Sequence, residues 1–309
     1  MDLKNESVVV EFILLGFSGP WKLQIFFLVI FSLIYGATVM GNILIMVTVT
    51  FSSTLRSPMY FLLGNLSFLD MCLSTVTTPK MITDLLTAHK TISLWGCMAQ
   101  MFFMHFFGDA EMTLLIAMAF DRYVAICKPL HYRTIMSPRL LSGFVILPWT
   151  IGFIHTMSQM ILTMNLPFCG HNIVDNIFCD LPLVIKLACI ETYTLELFVI
   201  ADSGLLSFIC FVLLLVSYTV ILVTVRQKSS GGLAKALSTL SAHIIVVTLF
   251  FGPCIFIYAW PFSSFTGNKI LAVFYTVITP LLNPLIYTLR NQKMQEAMKK
   301  LWSQYVSST

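Results

Sequence analysis

Seven stretches of this chain stay apolar for long enough to cross a bilayer, which takes about 20 residues of helix. They run Leu23 to Val49, Pro58 to Leu85, Ser93 to Ile126, Leu140 to Met164, Thr194 to Val225, Ala234 to Trp260 and Ile270 to Leu289. Charged or proline-containing linkers separate every pair. Hydrocarbon offers the backbone no hydrogen-bond partner, so each stretch is expected to satisfy its own amides as a helix. With 58% hydrophobic and only 10% charged residues over 309 positions, and a mean hydropathy of +0.88, the chain is too apolar for a soluble domain. The expected fold class is an all-α membrane protein, a seven-transmembrane helix bundle.

The cations set the expected orientation. With the amino end outside, the cytoplasmic segments hold Arg56, Arg122, Lys128, Arg133, Arg139, Arg226, Lys228, Lys235, Arg290, Lys293, Lys299 and Lys300, which is 12 of the 18 Lys and Arg. The positive-inside rule then places the carboxyl end in the cytoplasm. The net charge of +4 is mostly this asymmetry and gives no argument for nucleic acid as a partner. Residues 1–22 are expected as an extracellular segment carrying a glycosylation acceptor at Asn5-Glu6-Ser7. No basic head precedes its apolar run and no small-residue cleavage site follows, so a cleaved signal peptide is not expected. Residues 23–290 form the seven-helix unit. In 291–309, Met294, Ala297, Met298 and Leu301 recur at helical spacing among Lys and Gln, as in a short amphipathic helix lying on the inner membrane face. Cys97, Cys169, Cys179 and Cys189 fall on the outer side, where disulfides persist. They allow three pairings, and the residues alone do not choose among them.

Ionisable side chains inside a bilayer cost roughly 2.5 to 3.5 kcal/mol each on insertion scales and mark tasks. At about 1.5 Å of rise per residue, Asp70 stands roughly 18 Å above Pro58 and Glu111 roughly 16 Å above Arg122, so the two acids share a depth. Carboxylates so placed repel unless a proton or a cation lies between them. Two readings stay open: a sodium ion held by Asp70, Glu111 and Asn42, or a proton shared in a hydrogen-bonded network. No other cofactor is expected.

In the outer half of the third stretch, Met101, Met104, His105, Gly108, Asp109 and Met112 share one helical face by i, i+3, i+4 spacing. Methionines make adaptable walls for a small apolar ligand. His155 on the fourth stretch and Asp202 on the fifth add polar groups to His105 and Asp109. Any one of them is explained by a bond to a neighbouring helix; as a set they point to a pocket for a polar head, an alcohol, an amine or a metal-bound thiol. Apart from Lys80 on the second stretch, the outer halves of the spans hold no fixed cation, which argues against carboxylic acids. Phe251, Cys254 and Tyr258 on the sixth stretch, Thr276 on the seventh and Leu181 from the Cys-rich outer segment are expected to complete the wall. There is no His-Glu-x-x-His helix, no Gly-x-Ser-x-Gly elbow and no phosphate-binding glycine loop, so no enzymatic activity is expected. An ion-coupled transporter is the rival from another class, since intramembrane Asp and Glu also mark ion pathways. It would bring broken helices in paired halves, which the pattern does not show.

The third stretch runs into Met118 to Tyr132, MAFDRYVAICKPLHY, where Lys128-Pro129 stops the helix a turn or so below Asp121-Arg122-Tyr123. LRSPMY begins at Leu55, KALSTLSAHI at Lys235 and PLLNPLIYTLRN at Pro280. In this order and at these stretch ends, the chain from about Glu11 to Leu301 resembles the olfactory receptors, a branch of the rhodopsin-like G-protein-coupled receptors. Phe251 stands where that family often has tyrosine, and Leu240 where it often has cysteine. The resemblance implies a plasma-membrane receptor that binds a small odorant in the outer half of the bundle. It further implies activation of a stimulatory heterotrimeric G protein, raising cyclic AMP. Its switch would have Asp121 hold Arg122 at rest, with Tyr218, Lys235 and Tyr287 around the arginine once span six swings out. Asn283-Pro284 would be the hinge of span seven. The resemblance also favours pairing Cys97 with Cys179 and Cys169 with Cys189. A non-olfactory rhodopsin-like receptor for a small amine is the alternative, suggested by Asp109 and Asp202.

Overall fold

The computed structural model describes residues 9–228, 232–259, 268–289 and 291–308. Asn5 lies outside them, and so do the side chains of Lys235, Tyr258 and Tyr287. Span one is Trp21–Phe51, span two Pro58–Asp84, span three Leu94–Cys127, span four Pro138–Met164, span five Tyr193–Lys228 and span six Gly232–Ala259. Span seven is made of Asn268–Val273, a π turn at Phe274–Ile278 and Thr279–Leu289. A terminal helix, Gln292–Ser308, follows, and the Asn291 side chain receives the Met294 N–H at its start.

The helix starts follow from local chemistry. Ser57-Pro58 and Ser137-Pro138 each put proline at the first helical position, where its missing N–H is not needed. Ser93 and Ser137 accept the Gly96 and Leu140 N–H groups at 3.1 and 3.4 Å. Five of the described helices are long and apolar enough to cross a membrane by composition alone. Span three carries Asp109, Glu111, Asp121 and Arg122 and sits among the others, packed against spans two, four and five. The bundle is apolar outward and polar inward. Leu33 and Leu205 are 68% and 60% exposed where lipid would lie, while Asn42, Asp70, Glu111, Gln159 and Thr276 are fully buried.

A lid closes the end of the bundle where span three begins. Glu11–Leu14 (β1) lies between Thr91–Ser93 (β2), with which it is antiparallel, and Ile173–Val174 (β3), with which it is parallel. Phe12 and Leu14 point beneath this sheet and are fully buried. Lys90 donates to the carbonyls of Leu15 and Phe17, and Lys269 donates to that of Gly16 and pairs with Asp175. Cys97 is bonded to Cys179 and Cys169 to Cys189, so the second outer loop is tied to the top of span three and closed on itself. Gln100 completes the tie, accepting the Cys179 N–H and donating to Val76 O on span two.

Spans three and four approach most closely at Gly152, where a Cβ would stand 2.8 Å from Phe106 O and 3.2 Å from Ala110 N. Both are backbone atoms of span three and cannot rotate aside. Phe106 and Phe153 pack their rings beside this contact, with Trp149 a turn away. Gly152→Ala is expected to lower the thermal midpoint of the detergent-purified protein, by a loss of about 1–3 kcal/mol. Gly143→Ala on the same span, with nothing within 4 Å of the new Cβ, serves as the neutral comparison. Equal midpoints for the two variants would refute the close approach.

Candidate functional site

Beneath the lid, spans two, three, five, six and seven enclose a cavity of about 40 Å³. That is room for a few waters, on the scale where one water needs about 10–15 Å³. Of the side chains expected there, Met104, His105, Gly108, Asp109, Met112 and Cys254 line it. Met101 and Leu181 instead pack into the apolar cluster under the lid. Phe251 turns toward Phe211, with rings 5.9 Å apart, and Phe250 takes the cavity wall. One residue along a helix rotates the side chain by about 100°, which is why neighbours exchange these roles. Thr276 is buried with its hydroxyl donated to Ala272 O.

His155 and Asp202 do not line the cavity; they stand behind Asp109 as a chain of polar contacts. His155 Nδ1 lies 2.8 Å from Asp109 Oδ2, and His155 Nε2 lies 3.1 Å from Asp202 Oδ2. Each ring nitrogen of His155 thus meets a carboxylate oxygen, so His155 bridges spans three and five from span four. Thr156 donates to the same Asp109 oxygen at 3.4 Å, and Gln159 donates to Ser203 Oγ at 2.7 Å. No three His, Cys, Asp or Glu side chains among the described residues converge as metal ligands. His155 takes up both Asp109 and Asp202.

Leu73, Ser203, Ser207, Phe250 and Tyr275 complete the lining and were not legible as such in the sequence, whereas Asp180 belongs to the outer loop around Cys179 to Leu181 that is expected to cap it. Ser203 and Ser207 are four apart on one face of span five, a spacing that could have flagged them. Asp180 follows the half-cystine bonded to span three, which brings it over the cavity. It begins the short helix Leu181–Ile185. Burial pushes its carboxyl up to about 6, against the downward pull of the Leu181 N–H, the Asn176 amide and Lys186.

Deeper in the bundle, Asn283 Nδ2 donates to both oxygens of Asp70 at 2.9 Å. Glu111 lies beside this pair, and neither of its oxygens has a hydrogen-bond partner. Asn42 is tied elsewhere through its amide nitrogen, which donates to Pro280 O at 3.1 Å. Pro284 has no N–H to offer the carbonyl four residues earlier, and Asn42 supplies the missing donor. Pro284 itself packs on Gly41, where a Cβ would come within 3.1 Å of its ring.

At the end of the bundle opposite the lid, Asp121 and Arg122 do not form the expected ion pair. Tyr132 donates to Asp121 Oδ1 at 2.6 Å, and the Arg122 guanidinium contacts Met59 Sδ. Consecutive side chains on a helix do not face each other, so each finds a partner on a different element. Burial and the Asp121 carboxylate push the Tyr132 phenol well above its ordinary value, keeping it a donor. Tyr218 is buried with its hydroxyl unpartnered, and Tyr123 packs half-buried beside Phe120.

A family model described as olfactory receptor matches residues 31–305. The human olfactory receptor 4L1 is 83% identical over all of this chain and 99% of its own length. The human olfactory receptors 4K3 and 4K13 are 61% and 62% identical, over 100% and 97% of this chain and 98% and 99% of theirs. A seven-span bundle with a disulfide-tied lid, a polar cavity beneath it and an arginine at the foot of its central helix fits such relatives. The chain belongs to the olfactory receptor family, and is thus a multi-pass G-protein-coupled receptor and not an enzyme.

Proposed function

We propose that the chain is a plasma-membrane odorant receptor, amino end outside, that binds small volatile molecules in the cavity under the lid. On binding it activates a stimulatory heterotrimeric G protein and raises cyclic AMP. The observation that carries this reading is the course of span three. Its outer half lines the cavity with Met104, His105, Gly108, Asp109 and Met112, and its foot presents Asp121 and Arg122. A ligand that enlarges the cavity pushes on the helix whose far end the G protein meets. In this scheme Tyr132 rather than Arg122 restrains Asp121 at rest, and Arg122 exchanges Met59 for Tyr218, Tyr287 and Lys235 as span six moves. Asn283-Pro284 is the hinge, with Asn42 keeping the kinked backbone satisfied.

The reading includes a sodium ion between spans two, three and seven. Of the two buried acids only Asp70 has an amide donor, while Glu111 Oε1 and Oε2, Asn283 Oδ1 and Asn42 Oδ1 have no partner. Unsatisfied buried acceptors around excess negative charge are what a cation relieves. Asp70, Glu111 and Asn283 would hold it, with Asn42 Oδ1 as an outer oxygen, and it would supply charge compensation alone.

In cells carrying a cyclic-AMP reporter, an odorant panel is expected to yield ligands that raise the signal. Arg122→Ala should cut ligand-stimulated nucleotide exchange by on the order of tenfold or more while binding to purified receptor persists. Surface-expressed receptor that answers no odorant by cyclic AMP would count against the coupling. Sodium in place of choline should stabilise the wild type by about 1.4 kcal/mol at ten times its Kd and leave Glu111→Gln unmoved. An identical thermal midpoint in both salts for the wild type would remove the ion.

A further inference from the structure

The polar groups of the cavity divide into those already engaged and those left over. Asp109 Oδ2 is held by His155 and Thr156, Ser203 Oγ receives Gln159, and Ser207 Oγ is donated to Ser203 O. Asp109 Oδ1 takes part in none of these bonds. Among the described residues, His105 Nε2 has no partner, on a side chain that lines the cavity and is only 7% exposed. Asp180 adds a second carboxyl from the lid, touched by the Asn176 amide at a long 3.5 Å. Among the described residues, no lysine or arginine lines the cavity. Lys186, which faces Asp180 from the same loop, lies off the lining and is 3.9 Å from Glu196.

What is left over is therefore acceptor-rich and negatively charged. An occupant that only accepts hydrogen bonds would meet the carboxylates with nothing to offer. A hydroxyl would bring one donor. An ammonium group brings three donors and the opposite charge, in a setting where low dielectric strengthens the attraction. The rest of the wall suits an alkyl chain: Met104, Met112 and Leu73 are apolar, and the methionines can swing to make the room that the closed cavity lacks.

Resting on the reading of this cavity as the odorant site, we propose that the ligand is a small protonated aliphatic amine. Its ammonium is held by Asp109 on span three and Asp180 of the lid, with His105 Nε2 as a further acceptor. Asp180 also gives the lid a reason to stay closed over the ligand, since the loop that carries it is anchored to span three by Cys97–Cys179. A cation beside Asp180 offsets the burial that raises its carboxyl.

The test uses the purified full-length receptor in detergent near neutral pH, its Tm followed against n-butylamine to n-octylamine, the matching primary alkanols and the matching alkanoic acids. Amines are expected to raise Tm, with alkanols weaker and acids without effect. Asp180→Asn and His105→Gln should each weaken the amine response by about tenfold or more in concentration, and Asp180→Glu should restore it. Alkanols matching amines, no stabilisation by any amine, or an unchanged amine response in Asp180→Asn would each overturn the assignment. Tm needs no G protein, so the outcomes separate. Amine binding without a cyclic-AMP response sinks only the coupling, and a cyclic-AMP response to alkanols alone sinks only the amine.

Discussion

In a bundle that faces hydrocarbon on its outside, every polar group turned inward must find its partner within the protein, because no water competes for it or rescues it. Most of the interior follows from this one condition. Asn283 spans to Asp70, Asn42 to the carbonyl stranded by Pro284, Gln159 to Ser203, and His155 to two carboxylates at once. Each tie joins different spans, so satisfying a side chain and fixing the order of the helices are the same event. The apolar contacts between spans are less selective, since lipid tails are as apolar as the leucines they would replace. Where no polar tie is present, shape does the selecting, as at Gly152 against Phe106 and Ala110.

The outer end faces water and is held differently. Its strands are only two to four residues long, and no such sheet stands alone. The disulfides and the lysine contacts supply what the strands lack: Lys90 and Lys269 gather three carbonyls of the segment after β1, and Gly16 takes a positive φ of 56° to present one of them. The amino-terminal segment is thereby the central strand of the lid.

The bundle was legible in the sequence because a span leaves a signal about 20 residues long. The start of span two at Pro58 was too, whereas span four begins at Pro138, two residues before the expected Leu140. β1 was not: Glu11–Leu14 is four residues whose partners come 80 and 160 positions later, and nothing local announces them. The cavity was half legible. The face of span three came from its period, but Asp180 reached the site through a disulfide, and Phe250 was confused with Phe251 because a sequence fixes the rotation of span six only to within a residue. The pairing of Asp121 with Arg122 failed for a simpler reason, that neighbours in sequence diverge on a helix. Tyr132, the actual partner, sat in the same quoted motif.

These two kinds of restraint bear on how a signal would pass. The polar ties of the middle and inner bundle are discrete, each either made or broken, whereas the cavity walls of methionine and phenylalanine deform by small rotations. A ligand larger than about 40 Å³ meets the soft part first. It can displace Met104 and Met112 at little cost, but Asp109 is tied through His155 to Asp202, so a push on that carboxylate reaches spans four and five together. Span three has few other ways to yield, since Gly152 leaves no gap against span four and Cys97 pins its top. The compliant neighbour is span seven, where the π turn at Phe274–Ile278 includes Tyr275 of the cavity wall and the Pro284 kink lies below it. Under the proposed function, ligand strain would thus be directed toward Asn283 and its bond to Asp70, the tie that stands between the cavity and the foot of span three.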